Sequence, residues 1–330
     1  MKRSVIAALI LSIVSVGFLS AAGKSEGDGK AAGSAAKKTY KIAYIPTSIG
    51  QPNTNAWLEG MMRVFRTQSN VQVQSFDPQL RADMQVTFMD DVINQKYDAI
   101  VLQPQDAAAL SAAVKMAESK RILVISINTA PIQAHTASVQ MADIDAGYAV
   151  GLEMGKQING KGNVVIIQSP PGAILGVNRE KGFRKAIEEK FPNIKIVGAQ
   201  SAEGWKKEIA ITIMNSFLQA NSQLDGVFAV NDNMAEGAMI AAEAAGRLDK
   251  IKVWGANGQK STLAFIEQGK IAGTAYNNSY DQGTVVAKMI MERLEKNLGP
   301  AKVDATPISR IPPFLATKET VGQIKAEDRW

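Results

Sequence analysis

The segment ILVISI at residues 122–127 carries no charged side chain and no regular alternation of apolar and polar positions. A strand with one solvent-exposed face alternates apolar and polar residues, because successive side chains point to opposite sides of the sheet. Continuous runs of Val, Ile and Leu are instead typical of parallel strands that are buried on both faces. AIVL at residues 99–102 and VVII at residues 164–167 share this pattern. The three segments therefore predict parallel sheets with helices on both sides.

From Tyr40 onward, short apolar runs of this kind alternate with segments of helical period. In the first such segment, residues 55–68, Trp57, Met61 and Phe65 share one face. Repeated strand–helix units build a doubly wound α/β fold, and the chain is too long for one such sheet. We predict two α/β lobes that meet at a cleft. The strand candidates are residues 41–45, 71–76, 99–102, 122–127, 164–167, 195–197, 226–230, 252–254 and 271–275.

The composition excludes several classes of function. The chain has 330 residues with 37 basic and 31 acidic side chains, and no basic run that would indicate a nucleic-acid surface. It contains no cysteine, which excludes disulfides, thiolate metal sites and cysteine nucleophiles. With His135 as the single histidine, zinc sites built from His and Cys cannot form, and we expect no metal site. A Ser-His-Asp triad would need His135, and no G-x-S-x-G turn accompanies it.

The first 22 residues are typical of a secretory signal. Lys2 and Arg3 precede an apolar stretch at residues 5–19, and small residues follow at 20–22. A membrane anchor is the alternative, because the uncharged stretch approaches the length of about 20 residues that spans a bilayer. No cysteine follows to carry a lipid, so lipid anchoring is excluded. Residues 23–39 are rich in Gly, Ala, Ser and Lys, and we interpret them as a flexible tether.

Amides follow one predicted strand after another. Beyond the first strand, where a nucleotide-binding fold would show G-x-G-x-x-G, the chain carries Gln51, Asn53 and Asn55. A single Asn is usually a turn residue or a helix cap. Several amides at the carboxyl ends of strands suit a hydroxyl-rich ligand, because amides and hydroxyls both donate and accept hydrogen bonds. The amides after later strands are Asn128, Asn231, Asn257 and Asn277.

Trp205 lies in the polar segment AEGWK at residues 202–206. It is either a core residue or an aromatic wall against the apolar face of a sugar ring.

From about Tyr40 to Gly299 the chain resembles the periplasmic sugar-binding proteins of ABC transporters, the ribose/galactose-binding type. The resemblance is carried, in the family's order, by YDAIVLQPQD at residues 97–106, REKGF at 179–183 and FAVNDNMAEG at 228–237. It implies the type I periplasmic binding fold, in which two Rossmann-like lobes joined by a three-segment hinge close on the ligand. The implied lobes are residues 40–142 plus 277–306, and residues 143–276 plus 307–330.

The resemblance also implies a ligand site, to which we add Asn53, Asn55 and Trp57. Asn53-Thr54 stands where the family has an aromatic pair, so one apolar wall is missing unless Trp57 supplies it. We interpret Asp106 and Asp143, which match family aspartates, as a loop residue and a hinge cap. The implied contacts are Gln51, Asn128, Arg179 as a clamp, Trp205 as an aromatic wall, Asn231, Asn257 and Asn277.

By this resemblance the protein is a monomeric periplasmic receptor, without enzymatic activity or cofactor, that delivers a monosaccharide or polyol to an ABC permease. A chemoreceptor is a second candidate partner. A receptor for a sugar acid, a nucleoside or a sugar-like signal is the alternative. A cofactor-dependent α/β oxidoreductase is more remote, because the Gly-rich turn and an acid/base pair are both missing.

The charge of the ligand depends on Arg179. The family's aspartates are replaced by Asn128 and Asn257, so Arg179 has no acidic neighbour among the predicted contacts. A buried cation without a partner is costly, and an anionic ligand would relieve it. We predict a neutral polyol first and a carboxylated or phosphorylated sugar as the alternative. We also expect Arg179→Met to weaken binding and leave folding intact.

Overall fold

The computed structural model describes residues 38–301 and 304–330 of the chain. The predicted signal segment and most of the predicted tether lie outside these residues. Within them, strands and helices alternate over most of the length. The strands are β1 (Tyr40–Ile45), β2 (Val71–Ser75), β3 (Ala99–Leu102), β4 (Leu123–Ile127), β5 (Ala137–Met141), β6 (Lys161–Gln168), β7 (Asn193–Ser201), β8 (Gly226–Ala229), β9 (Lys252–Asn257), β10 (Gly273–Tyr276), β11 (Ile308–Ile311) and β12 (Phe314–Thr317). The α-helices are α1 (Pro52–Phe65), α2 (Ala82–Asn94), α3 (Ser111–Ser119), α4 (Asp143–Gln157), α5 (Ile174–Lys190), α6 (Lys207–Ala220), α7 (Asp232–Ala244), α8 (Lys260–Glu267) and α9 (Ser279–Glu295).

The strands form two sheets, each the centre of one lobe. The first sheet has the order β11-β5-β4-β3-β1-β2, and its neighbouring strands are parallel. The second has the order β12-β10-β9-β8-β6-β7 and is parallel except at β12, which pairs with β10 in the antiparallel sense. The predicted α/β fold of two Rossmann-like lobes is confirmed. Among the described residues, every helix falls short of the length and apolar character that a bilayer-crossing segment requires.

The segment ILVISI is buried on both faces of the first sheet, as its pattern predicts. Leu123, Ile125 and Ile127 belong to the core cluster that α1 and α9 cover. Val124 belongs to the separate cluster beneath α2 and α3. The polar member, Ser126, is fully buried and donates a hydrogen bond to Ser138 on β5 at 2.8 Å. A polar side chain in this core is therefore tolerated because its hydroxyl has a partner.

Three strands lie outside the predicted set, namely β5, β11 and β12. Strand β11 is half exposed at the edge of the first sheet, and β12 closes the edge of the second, so neither carries a continuous apolar run. Because β11 pairs with β5, residues 308–311 belong to the first sheet. The sequence had assigned the chain from residue 307 onward to the second lobe, and this boundary is wrong.

The chain passes between the two sheets at three places. It leaves β5 at Met141 and begins α4 at Asp143, and it returns from β10 at Tyr276 to α9 at Ser279. The third passage lies at residues 312–313, between β11 and β12. The number of passages agrees with the predicted three-segment hinge.

Glycines bring two pairs of helices into backbone contact. A Cβ atom at Gly283 of α9 would overlap the carbonyl oxygen of Trp57 on α1, and one at Gly60 would overlap the carbonyl of Tyr280. The second lobe repeats the arrangement, because Gly147 of α4 lies against the carbonyl of Arg179 on α5. Helices α1 and α5 both carry predicted site residues, so these contacts fix where the site residues stand.

We expect Gly283→Ala to lower the free energy of unfolding by about 1–3 kcal/mol, because the added methyl group forces α1 and α9 apart. The matched control is Gly322→Ala, where nothing lies within 4 Å of an added Cβ atom. Urea unfolding of both variants measures the difference. Equal midpoints for the two would contradict the backbone contact between α1 and α9.

Candidate functional site

A cavity of about 420 Å³ lies between the two lobes, at the carboxyl ends of the strands. This volume falls in the range of small-molecule sites, roughly 300–1,000 Å³. A larger cavity of about 800 Å³ lies at the opposite edge of the first sheet, around Arg121 and Arg293, and contains none of the predicted site residues. The cavity between the lobes brings together Gln51, Asn53, Trp57, Asn128, Arg179, Trp205, Asn231, Asn257 and Asn277.

Two amide side chains at the start of α1 line the cavity without forming hydrogen bonds to other described residues. The helix begins at Pro52, and Gln51 at the N-cap position makes no capping hydrogen bond with its side chain. The Thr54 hydroxyl donates to the carbonyls of Ser48 and Gln51, at 2.7 and 2.8 Å. The interpretation of Asn53 as a helix cap is therefore wrong, and Thr54 does not cap the helix either. Gln51 and Asn53 line the cavity with their hydrogen-bonding capacity unused by other described residues.

Two predicted residues of α1 offer no free side-chain surface to the cavity. Asn55 is exposed on the helix surface and does not line the cavity. Trp57 is fully buried between α1 and α9, where its Nε1 donates to Oε1 of Gln282 at 2.6 Å. Its ring therefore has no free face to offer, and the missing aromatic wall is not supplied by Trp57.

Three further cavity amides have local conformations that fix their positions, namely Asn231 and Asn257 of the second lobe and Asn128 of the first. Asn231 is the N-cap of α7, and its Oδ1 accepts a hydrogen bond from the backbone N–H of Met234 at 2.9 Å, so Asn231 does cap a helix. Asn257 ends β9 with φ at 127°, and Asn128 follows β4 with φ at 66°. Both values lie in the left-handed region that Asn tolerates better than most residues.

Asn277 shows an unused hydrogen-bond acceptor. Its side chain is 5% exposed, and its Oδ1 has no partner among the described residues. Its backbone N–H donates to the carbonyl of Asn257 at 2.9 Å, so the residue itself is fixed. A buried amide oxygen without a partner is destabilising, and a ligand hydroxyl would relieve that cost.

Asp232 positions the loop after β9. It is fully buried, and its Oδ2 accepts hydrogen bonds from the backbone N–H groups of Gly258 at 2.6 Å and Gln259 at 2.7 Å. Its Oδ1 accepts from the Thr274 hydroxyl at 2.6 Å. Burial raises the pKa of Asp232 to about 6, and the three donors act in the opposite direction. The carboxylate therefore holds Asn257 in place without entering the cavity.

Arg179 has an acidic partner, contrary to the prediction. Its Nε donates to Oδ1 of Asp143 at 2.8 Å, and the two side chains are only 3% and 5% exposed. Nη1 donates to the carbonyl oxygen of Val230 at 2.9 Å. Burial raises the pKa of Asp143, and Arg179 opposes that shift. Asp143 is thus the counter-ion of Arg179 and not a hinge cap, whereas Asp106 is a loop residue whose carboxylate accepts from the N–H groups of Ala108 and Ala109.

Two tryptophans give the cavity aromatic surface. Trp205 ends a short 3₁₀ turn with φ at 59° and is partly exposed at the cavity, in agreement with the predicted position of a wall. Trp330, which the sequence did not single out, also lines it and donates from Nε1 to the carbonyl of Asn277 at 3.2 Å. It lies beyond residue 299, where the resemblance ends. The other lining residues that the prediction missed are Pro52, Leu175, Gly204, Asn233 and Gln259.

The lining offers little for acid–base chemistry. Arg179 is the one ionisable side chain among the lining residues, and it is already paired. His135 lies in the first lobe, away from the cavity, with Nε2 2.8 Å from the Ser126 hydroxyl and Nδ1 2.8 Å from the carbonyl of Gln133. Burial lowers the pKa of His135. This buried Ser–His pair has a carbonyl where a triad would have a carboxylate.

Comparison with known proteins identifies relatives over much of the chain. The family described as periplasmic binding protein domain matches residues 67–298, more than half of the chain. A xylitol-binding protein of Mycolicibacterium smegmatis is 35% identical over 196 residues, which span 59% of this chain and 55% of that protein. A ribose import binding protein of Bacillus subtilis is 28% identical over 309 residues, 93% of this chain and 96% of that one. A periplasmic solute-binding protein of an ABC transporter from Actinobacillus succinogenes, solved with bound D-allose, superposes with a TM-score of 0.77 at 26% identity and covers 86% of this chain and 100% of its own.

We expect Arg179→Met to lower the free energy of unfolding by about 3–5 kcal/mol, because it leaves Asp143 buried without a partner. This replaces the expectation that folding stays intact. Adding Asp143→Leu should recover most of the loss, since it removes the orphaned charge. The control is Arg184→Met on the same helix, where a half-exposed arginine pairs with Glu180. Chemical unfolding of the wild type and these three variants measures the differences, and a single Arg179→Met variant as stable as Arg184→Met would contradict a buried ion pair.

Proposed function

The chain belongs to the periplasmic binding protein domain family, and from this membership and the amide-lined cleft we propose that it captures a neutral monosaccharide or polyol. The observation that carries the proposal is the lining itself. Eight amides (at positions 51, 53, 128, 231, 233, 257, 259 and 277), two partly exposed tryptophans and one paired arginine surround the cavity. Amides match hydroxyl groups in both senses of the hydrogen bond, and indole faces match the apolar C–H face of a sugar.

The neutral class of ligand follows from the electrostatics. Asp143 already compensates Arg179, so the cavity does not require an anion to balance its charge. Arg179 keeps N–H groups beyond those bonded to Asp143 and Val230, and these can donate to a hydroxyl or a ring oxygen. The anionic alternative rested on an unpaired arginine and loses that support.

Binding also explains why the site is divided between the lobes. Gln51, Asn53 and Asn128 belong to the first lobe, whereas Arg179 and Asn231 belong to the second. A small ligand reaches both groups only when the lobes stand close together. It therefore has higher affinity for the closed arrangement and shifts the population toward it. The three passages between the sheets serve as the hinge.

The partner and the compartment follow from the family and its relatives. The relatives are named for sugar or polyol binding, and one was solved as the solute-binding protein of an ABC transporter. We infer that this protein acts as a monomer in the periplasm and presents its ligand to an ABC permease, with a chemoreceptor as a second candidate partner. A binding role without catalysis fits a lining in which Arg179 is the one ionisable group.

The ligand class is tested by thermal unfolding of the protein with D-ribose, D-allose, xylitol, D-glucose, D-glucuronate and NADP⁺. We expect at least one neutral compound to stabilise the protein, by about 2.7 kcal/mol at 100 times its dissociation constant. D-glucuronate should have no effect at any salt concentration, because its carboxylate would face a cavity whose cation is already paired. Stabilisation by the uronate alone, or by NADP⁺ alone, would reject the proposal in favour of a sugar-acid receptor or an oxidoreductase.

A second test uses neighbouring residues of one helix. We expect Asn53→Ala to weaken binding of the best neutral sugar roughly tenfold, because a ligand hydroxyl loses its partner. Asn55→Ala is the matched control, since Asn55 is exposed outside the cavity. Isothermal titration compares both with the wild type. Equal affinities for the two variants would show that the start of α1 does not contact the ligand.

A further inference from the structure

The segment 326–330, here called the strap, follows β12 and touches both lobes. Its hold on the second lobe includes an ion pair from Arg329 to Glu267 at 2.7 Å. The backbone N–H of Lys260, at the start of α8, donates to the carbonyl of Trp330 at 2.6 Å. On the other side, Arg63 of α1 forms an ion pair with Asp328 at 2.8 Å and donates to the carbonyl of Glu327 at 3.1 Å.

The strap is also tied to the passage between β10 and α9. The hydroxyl of Tyr276 donates to the carbonyl of Asp328 at 2.7 Å, and the indole N–H of Trp330 donates to the carbonyl of Asn277 at 3.2 Å. These bonds leave the Trp330 ring half buried at the ligand cavity. The strap therefore connects first lobe, hinge and second lobe over five residues.

We propose that Trp330 is a ligand-contacting residue of the cleft, and that Arg63 is a positioning residue that latches the strap carrying it to the first lobe. The inference rests on the proposed function and adds to it a specific aromatic contact and a device that couples that contact to lobe closure.

The ligand contact of Trp330 is inferred from the aromatic side chains that the cavity has available. The residues at the start of α1 are Asn53 and Thr54 and offer no ring, while Trp57 is sealed in the core. Trp205 and Trp330 are then the aromatic side chains that line the cavity with part of their surface free. The indole N–H of Trp330 is committed to Asn277, so its ring is held in orientation. A fixed indole favours a ligand with an apolar ring face, and hence a cyclic sugar over a linear polyol.

The latch follows from where its two ends are anchored. Arg63 is fixed on α1, where its guanidinium lies 4.5 Å from the centre of the Tyr280 ring. Asp328 is fixed to the second lobe through the neighbouring Arg329. Because the two ends belong to different lobes, the ion pair forms only when the lobes stand as described here. Breaking it lowers the population of that arrangement, and the apparent affinity for ligand falls with the competent fraction.

The contact is tested by titrating D-allose and xylitol into the wild type and into the variants Trp330→Ala and Trp330→Phe. We expect Trp330→Ala to weaken D-allose binding about tenfold and Trp330→Phe to retain most of the affinity, because the aromatic face remains. The loss for xylitol should be smaller. An unchanged affinity for D-allose in Trp330→Ala would overturn the contact while leaving the proposed function standing.

The latch is tested with Arg63→Met, with Arg63→Lys as a partial rescue and Arg66→Met as the control. Arg66 directly follows the same helix and pairs with the exposed Glu59, so its loss leaves the strap intact. We expect Arg63→Met to weaken D-allose binding about fivefold, mainly through faster release, and Arg66→Met to have no effect.

A distance measurement without ligand tests the latch separately from sugar binding. The chain has no cysteine, so Asn55→Cys and Glu208→Cys place one spin label on each lobe without background. We expect Arg63→Met to broaden the distance distribution toward longer values in the absence of sugar, and Arg66→Met to leave it unchanged. An unchanged distribution in Arg63→Met overturns the latch. Failure of the wild type to bind any sugar of the panel rejects the proposed function and the role of Trp330 with it, while the spin-label distances still decide the latch.

Discussion

The ion pair between Arg179 and Asp143 is the constraint on which the rest of the site depends. Two charges that are almost completely removed from water must stay together, because either one alone would be strongly destabilising. Asp143 is the first residue of α4, directly after the chain leaves the first sheet, and Arg179 lies on α5. The pair therefore fixes the first passage between the lobes against the helix that borders the cleft. The bond from Arg179 to the carbonyl of Val230 brings the end of β8 to the same point.

Around this pair, structural and ligand-facing roles are given to different residues. Glycine contacts set the separation of α4 and α5, and the carboxylate of Asp232 holds the loop after β9. Because backbone groups and buried carboxylates hold the helices and loops in place, the side chains of most cavity amides remain free to bond a ligand. Asn231 is the exception, since it also caps α7. The rigidity of the surroundings is what allows Asn277 to keep an unpaired buried oxygen.

The fold was largely predictable because it depends on local pattern. The residues of ILVISI alternate between two buried clusters, which a continuous apolar run indicates without any knowledge of its partners. The part of the site formed by amides directly after strands was predictable, because the carboxyl ends of parallel strands meet at one edge of a sheet. The sequence could not show that Asp143 pairs with a residue 36 positions away, or that Asn53 faces the cleft while Asn55 faces water. Both facts depend on how helices pack, and Trp330 depends on the course of a segment that carries no strand or helix pattern.

The ion pair between Arg179 and Asp143 also supports the proposal of a neutral ligand. An anionic ligand would be attracted to Arg179, but Asp143 already holds Nε of that side chain at 2.8 Å. If the arginine turned toward the ligand, a carboxylate that is 5% exposed would be left without its partner. If it stayed, the anion would enter a cavity where two negative groups share one cation. Either course costs more than hydrogen bonding of a neutral hydroxyl, which uses the remaining N–H groups of Arg179 and leaves the pair intact. The proposed selection for neutral ligands thus follows from the same ion pair that stabilises the protein without ligand.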